Sequence, residues 1–190
     1  MIKFNYIKNI KFFHFIKLNL FILLTFIGLY YFTLILTIFT SPYGNIFFFP
    51  NALRIIAPII YGIGAFPGLF IGHIYASVFI NDMNDINLVL YLSLEGSLIG
   101  FISYSILKKF KILDNNFKKI KFEKIIFFIL FVSILHSLSA FLIYENRLTI
   151  ELKSFKFIIT YIIGDFIGGC IGFYVFLKFY YKINNPLKTN

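Results

Sequence analysis

The 190-residue chain has no tryptophan, one cysteine, five prolines and only 8 acidic residues, and 14% of its residues are charged. Each scarcity excludes something. A single cysteine, Cys170, can build neither a disulfide framework nor a cysteine-based metal site. Soluble domains carry about 25% charged residues, so a surface bathed in water on all sides is excluded as well. The chain holds no GxxxxGK[ST] loop, no GxGxxG after a strand and no HExxH, which removes support for phosphate-loop, dinucleotide-fold and zincin chemistry. No cofactor and no metal is expected. What is there is apolar: 59% hydrophobic and 22% aromatic residues, with 28 phenylalanines. Of the 18 basic residues all but Arg54 and Arg147 are lysine. With the many Phe, Ile and Asn residues, this is the bias of an AT-rich genome.

An apolar run of about 18 or more residues can cross a bilayer as a helix. Six segments, at about 18–39, 46–61, 66–80, 86–107, 125–143 and 157–177, read as such spans, and the fold class they define is all-α, a polytopic membrane helical bundle. The second and third come from one continuous apolar stretch, too long for a single crossing. It divides at Gly62-Ile63-Gly64-Ala65-Phe66-Pro67-Gly68, where glycines and a proline supply a tight turn with no polar linker. The first run is longer than the apolar part of a signal peptide, and its end, Ile38-Phe39-Thr40-Ser41-Pro42-Tyr43, lacks a small-residue cleavage site. It reads as a retained anchor.

The formal net charge of +10 is segregated from the apolar runs, which argues against nucleic acid as a partner. Four lysines fall in the basic segment 1–17, seven in the loop 108–124 and three in the tail 178–190. With six spans these fourteen share one face. The other face receives Arg147, Lys153 and Lys156 beside Asp82, Asp85, Glu145 and Glu151. The positive-inside rule then puts both termini in the cytoplasm, and the expected location is a bacterial inner membrane.

Five ionisable residues interrupt the spans: Arg54, His73, Glu95, His136 and Asp165. Each costs several kcal/mol in hydrocarbon unless paired or hydrated. Counted from the outer end of its span, each lies at a depth of about 11 to 13 Å, so all five share one layer. Helices two to six are expected to face that layer, as a polar site in the outer half of the bilayer that binds a small molecule or ion. Asn51 shares a helix face with Arg54, and Tyr161 with Asp165, so both join the candidate ligand-binding set. The blander possibility is mutual satisfaction: Arg54 neutralised by Glu95 or Asp165, and the two histidines serving as neutral hydrogen-bonding groups. Small residues recur every four positions, as Gly64, Gly68, Gly72 and Ala76, as Gly96 and Gly100, and as Gly164, Gly168 and Gly172. Such stripes predict close packing of spans three, four and six next to the charged layer.

The stretch Phe48-Phe49-Pro50-Asn51-Ala52-Leu53-Arg54, then Tyr61-Gly62, then Phe66-Pro67-Gly68-Leu69-Phe70-Ile71-Gly72, resembles the membrane sensory domain called MASE1, as does Gly164-Asp165-Phe166-Ile167-Gly168. The chain departs from that family in having no tryptophan before proline, fewer spans and no cyclase or kinase output domain after them. The resemblance implies signal transduction through a separate partner protein at the cytoplasmic face. In size and layout the chain is also similar to the substrate-binding S-components of energy-coupling-factor transporters, which implies a transport partner instead. Both resemblances imply an outward-opening ligand site and a basic face that meets another protein or anionic membrane lipids. An intramembrane enzyme is a third class, but no GxSxG or paired-aspartate motif supports it, and the chain is not read as an enzyme.

Overall fold

A computed structural model describes residues 12–36, 40–41, 44–45, 47–113, 121–144 and 155–184, with side chains as far as 178. Six α-helices make up nearly all of it: α1 (Phe12–Ile35), α2 (Pro50–Tyr61), α3 (Phe66–Tyr75), α4 (Ile86–Lys109), α5 (Phe122–Tyr144) and α6 (Phe155–Asn184). A 3-10 turn, Gly62–Ala65, joins α2 to α3, and a π-helical turn, Ala76–Ile80, extends α3. The two-residue strands β1 (Thr40–Ser41) and β2 (Gly44–Asn45) pair antiparallel between α1 and α2. Residues 1–11, the middle of the basic loop (114–120), the segment 145–154 with Arg147 and Lys153, and the tail after 184 lie outside the described set.

Among the described residues, five segments are long and apolar enough to cross a membrane: Phe12–Ile35, Pro50–Ile80, Ile86–Lys109, Phe122–Tyr144 and Phe155–Lys178. The second is not one rod. Arg54 and His73 are 19 residues apart, about 28 Å along a continuous helix, yet Arg54 Nε donates to His73 Nε2 at 3.1 Å. The chain therefore doubles back between them, at the Gly/Pro turn expected from the sequence. Gly62 makes the reversal with φ 58°, a left-handed conformation that costs glycine nothing, and Pro67 opens α3 in its first turn, where its missing N–H goes unmissed. Asn19 of α1 pins the tip: its Nδ2 donates to Gly64 O at 3.0 Å and its Oδ1 accepts from Gly68 N at 2.7 Å.

The arms are short. At 12 residues α2 is about 18 Å long, against an apolar layer of about 30 Å. The tip sits level with Asn19, about 10 Å above the start of α1. Four full-length helices thus surround a shorter hairpin, whose turn residues sit inside the bundle instead of at its edge. Span ends also differ. α1 begins six residues earlier than expected, with Lys17 inside it and its ammonium 4.6 Å over the Phe13 ring, and it stops at Ile35. A lysine stem can lie along apolar surface, so charge alone did not mark the helix end. α4, α5 and α6 likewise run past the expected limits into their flanking lysines.

Cross-helix contacts fix directions. Glu95 meets His136 while Tyr104 meets Phe128, so α4 and α5 are antiparallel; Ser137 meets Ile158 while Ile129 meets Gly169, so α5 and α6 are too. Lys17, Lys108, Lys109, Lys121, Lys124 and Lys178 consequently gather at one end of the bundle, the end at which the hairpin tip points.

Burial follows the same plan. From Pro50 to Pro58 every residue of α2 is buried, so this helix is the axis of the bundle, packed on α6, α4, α5 and α1. The outer helices each turn one stripe inward: Ile22, Phe26, Tyr30 and Thr33 on α1, spaced three or four apart. Their outer faces are also apolar, with Leu24, Phe79, Tyr91 and Tyr174 all more than 60% exposed, as in helices solvated by hydrocarbon instead of water. The glycine stripes work within the chain. A Cβ at Gly168 would strike the backbone of Phe48, one at Gly100 the carbonyl of Arg54, and one at Gly96 would lie 2.6 Å from Cε1 of His73.

Candidate functional site

The hairpin, α4, α5 and α6 bring the five ionisable residues together, with α2 supplying Arg54 at the centre. Arg54, His73, His136 and Asp165 are all buried. His73 Nε2 accepts from Arg54, so the proton of that ring is on Nδ1 and the ring is neutral. Phe26 of α1 covers it at 4.5 Å between ring centroids. The guanidinium also lies 5.0 Å above the Phe48 ring, a second interaction that holds it in place.

Across from Arg54 stands Asp165. Its Oδ2 is 3.8 Å from Arg54 Nη1 and 3.8 Å from His136 Nε2, close enough for electrostatic attraction and too far for a hydrogen bond. Arg54 Nη1 and Asp165 Oδ2 are both fully buried and neither has a hydrogen-bond partner. The other nitrogen of His136, Nδ1, is held 2.8 Å from Glu95 Oε1, and Ser139 donates to the same oxygen. Two carboxylates therefore face one guanidinium. His136 is set between the carboxylates, with Nδ1 toward Glu95 and Nε2 toward Asp165.

These groups border a cavity of about 260 Å³. Arg54, His73, His136, Tyr161 and Asp165 line it, five of the seven residues singled out from the sequence. The other two stand behind the wall. Glu95 reaches the cavity only through His136, and Asn51 holds the Asp165 backbone by donating to its carbonyl at 2.8 Å, with a longer contact of 3.4 Å to Ser133 Oγ. Depth along a helix is readable from sequence, but the rotation that turns a side chain toward a cavity is set by packing, and that is why these two were misplaced.

Several lining residues were not anticipated. Tyr30 comes from α1, which was expected to stand outside the site; its hydroxyl and the Asn81 amide bond to each other at 2.8 and 3.1 Å. Ser77 and Tyr144 line the wall too, and Ser139 was missed behind it. The lining reaches Asn81 and Met83, in the link from α3 to α4, so the cavity extends toward the end of the bundle away from the lysines. Among the described residues, no cluster of three His, Cys, Asp or Glu side chains is arranged to hold a metal ion.

The class this defines is a helical bundle of membrane type with a charged cavity at its heart. Comparison with known proteins finds no matching family model, no similar curated protein and no similar solved structure.

Proposed function

We propose that this chain is a multi-pass protein of a bacterial inner membrane that binds a small ligand or ion in the cavity, as a sensory module of the MASE1 type. The observation that carries the reading is the pair of buried, unsatisfied groups on the cavity wall, Arg54 Nη1 and Asp165 Oδ2. Buried polar atoms in folded proteins are almost always bonded, and one left open on a cavity wall is a place for a guest to bind. In this reading the chain passes the apolar layer six times, the second and third times as the short arms. Both termini and the lysine-rich end lie in the cytoplasm, and the cavity opens outward. A ligand that favours one arrangement of the hairpin against α1 and α4 changes the basic face, where a separate partner protein reads it.

Uptake is the second reading, favoured by the cavity's reach toward the end away from the lysines, the side from which an imported substrate would arrive. The partner separates the two: co-purification with a kinase or cyclase supports sensing, and with an ATPase and its coupling protein, uptake.

The test of ligand binding is native mass spectrometry of the protein released from membranes. A small molecule should accompany the wild type and be absent from Arg54→Ala; a wild type with no bound molecule under any loading condition would refute the reading. Orientation is tested with Ser77→Cys in a Cys170→Ser background. A membrane-impermeant maleimide added outside intact cells should label it, and labelling only after lysis would reverse the topology.

A further inference from the structure

Resting on the ligand-site reading above, the geometry points to a class of ligand: we propose that the cavity takes a zwitterionic α-amino acid, its carboxylate on Arg54 and its ammonium on Asp165. The two open groups are of opposite kind, one donor and one acceptor, 3.8 Å apart. In an α-amino acid the ammonium nitrogen and the nearer carboxylate oxygen are about 2.7 Å apart by covalent geometry. Charge-assisted hydrogen bonds of about 2.8 Å from each to its partner close a four-sided figure that can accommodate the 3.8 Å between the two groups. One ligand fragment thus carries a partner for each group, reached by a local shift of the two buried side chains.

Charge selects against the simpler alternatives. Glu95 and Asp165 already outnumber Arg54, so a lone anion would add a third negative charge to a buried site. A lone cation would satisfy Asp165 and leave Arg54 Nη1 open beside a like charge. A zwitterion answers both groups and leaves the net charge of the site unchanged. Part of the remaining wall suits an apolar side chain: Ala76, Leu92 and Ala140, with the rings of Tyr144 and Tyr161. Size agrees. A volume of about 260 Å³ equals roughly nine water molecules, and leucine has about nine non-hydrogen atoms.

The experiment uses the full chain in lipid nanodiscs and equilibrium dialysis with radiolabelled L-amino acids. For any that binds, two amputated analogues follow: the amine without the carboxylate and the acid without the ammonium. We expect at least one apolar amino acid to bind saturably and each analogue to bind about a hundredfold more weakly or worse, because a site built for a polar group is left unpaired by its loss. Arg54→Lys and Asp165→Asn should abolish binding. The analogue comparison is made on the wild type, so it stands even where a variant fails to fold. An analogue that binds as tightly as its parent overturns the proposal. So does a native ligand, found by mass spectrometry, that is neutral or singly charged, though the cavity would then keep its role as a binding site. If neither amino acids nor a native molecule are ever bound, the proposal and the reading beneath it fall together.

Discussion

Arg54 and Asp165 are each 3% exposed at the side chain and 3.8 Å apart, so removing one charge leaves the other without its nearest full counter-charge. At an effective dielectric of about 20, two unit charges at that separation attract by about 4 kcal/mol. Asp165→Asn is therefore expected to destabilise the fold by about 3 kcal/mol, within the range for breaking buried pairs from one side. Arg54→Gln should cost about 3 to 5 kcal/mol, since it also ends the bond to His73 and the contact over Phe48. The double variant carries neither orphaned charge, so its loss should fall short of the sum by about 2 kcal/mol or more. Helical circular dichroism through thermal or SDS unfolding in detergent is the suitable readout, because the chain has no tryptophan to report by fluorescence. Single losses below about 1 kcal/mol that simply add in the double variant would refute a coupled pair.

Asn19→Leu removes both bonds that hold the hairpin tip and leaves Gly64 O and Gly68 N unmatched; a loss of about 2 to 4 kcal/mol is expected in the same unfolding assay. Gly168→Ala drives a methyl into the Phe48 backbone and should cost about 1 to 3 kcal/mol, whereas Gly28→Ala, in open space on α1, should be neutral or stabilise by up to about 1 kcal/mol. Equal effects at the two glycines would show that the stripe on α6 is not a close-contact surface. Tyr30→Phe breaks the pairing with Asn81 and is expected to lower stability by about 1 kcal/mol, read by the same melts.

What could be seen in the sequence follows from the cost of charge in an apolar medium. Arg54, His73, His136 and Asp165 stood out because each interrupts a run that has no other reason to hold it, and one common depth implied a common site. The hairpin turn was equally plain, since Gly62, Gly64, Pro67 and Gly68 sit inside a stretch too long to cross once. Uncharged groups gave no such signal. Tyr30 is one of 13 tyrosines and Ser139 one serine among many, and nothing in their local sequence separates a cavity wall from a packing face. Glu95 was placed on the wall because its depth was right; it lies behind His136 because α4 is rotated to put Gly96 against the His73 ring. The short arms were hidden for a related reason. Apolar length measures how far a segment could reach, and the bonds from Asn19 decide where the tip stops.

The hairpin also bears on how the protein is made. An arm of 12 residues that contains an arginine has neither the length nor the polarity to settle in hydrocarbon by itself. Its tip is fastened to α1, which is synthesised before it, but the carboxylate 3.8 Å from Arg54 is on α6, which is synthesised after the other five described helices. Until α6 is made, that arginine waits without its nearest carboxylate. The central helix gains that partner only once α6 has been made, so the pocket cannot be finished before α6 packs against it.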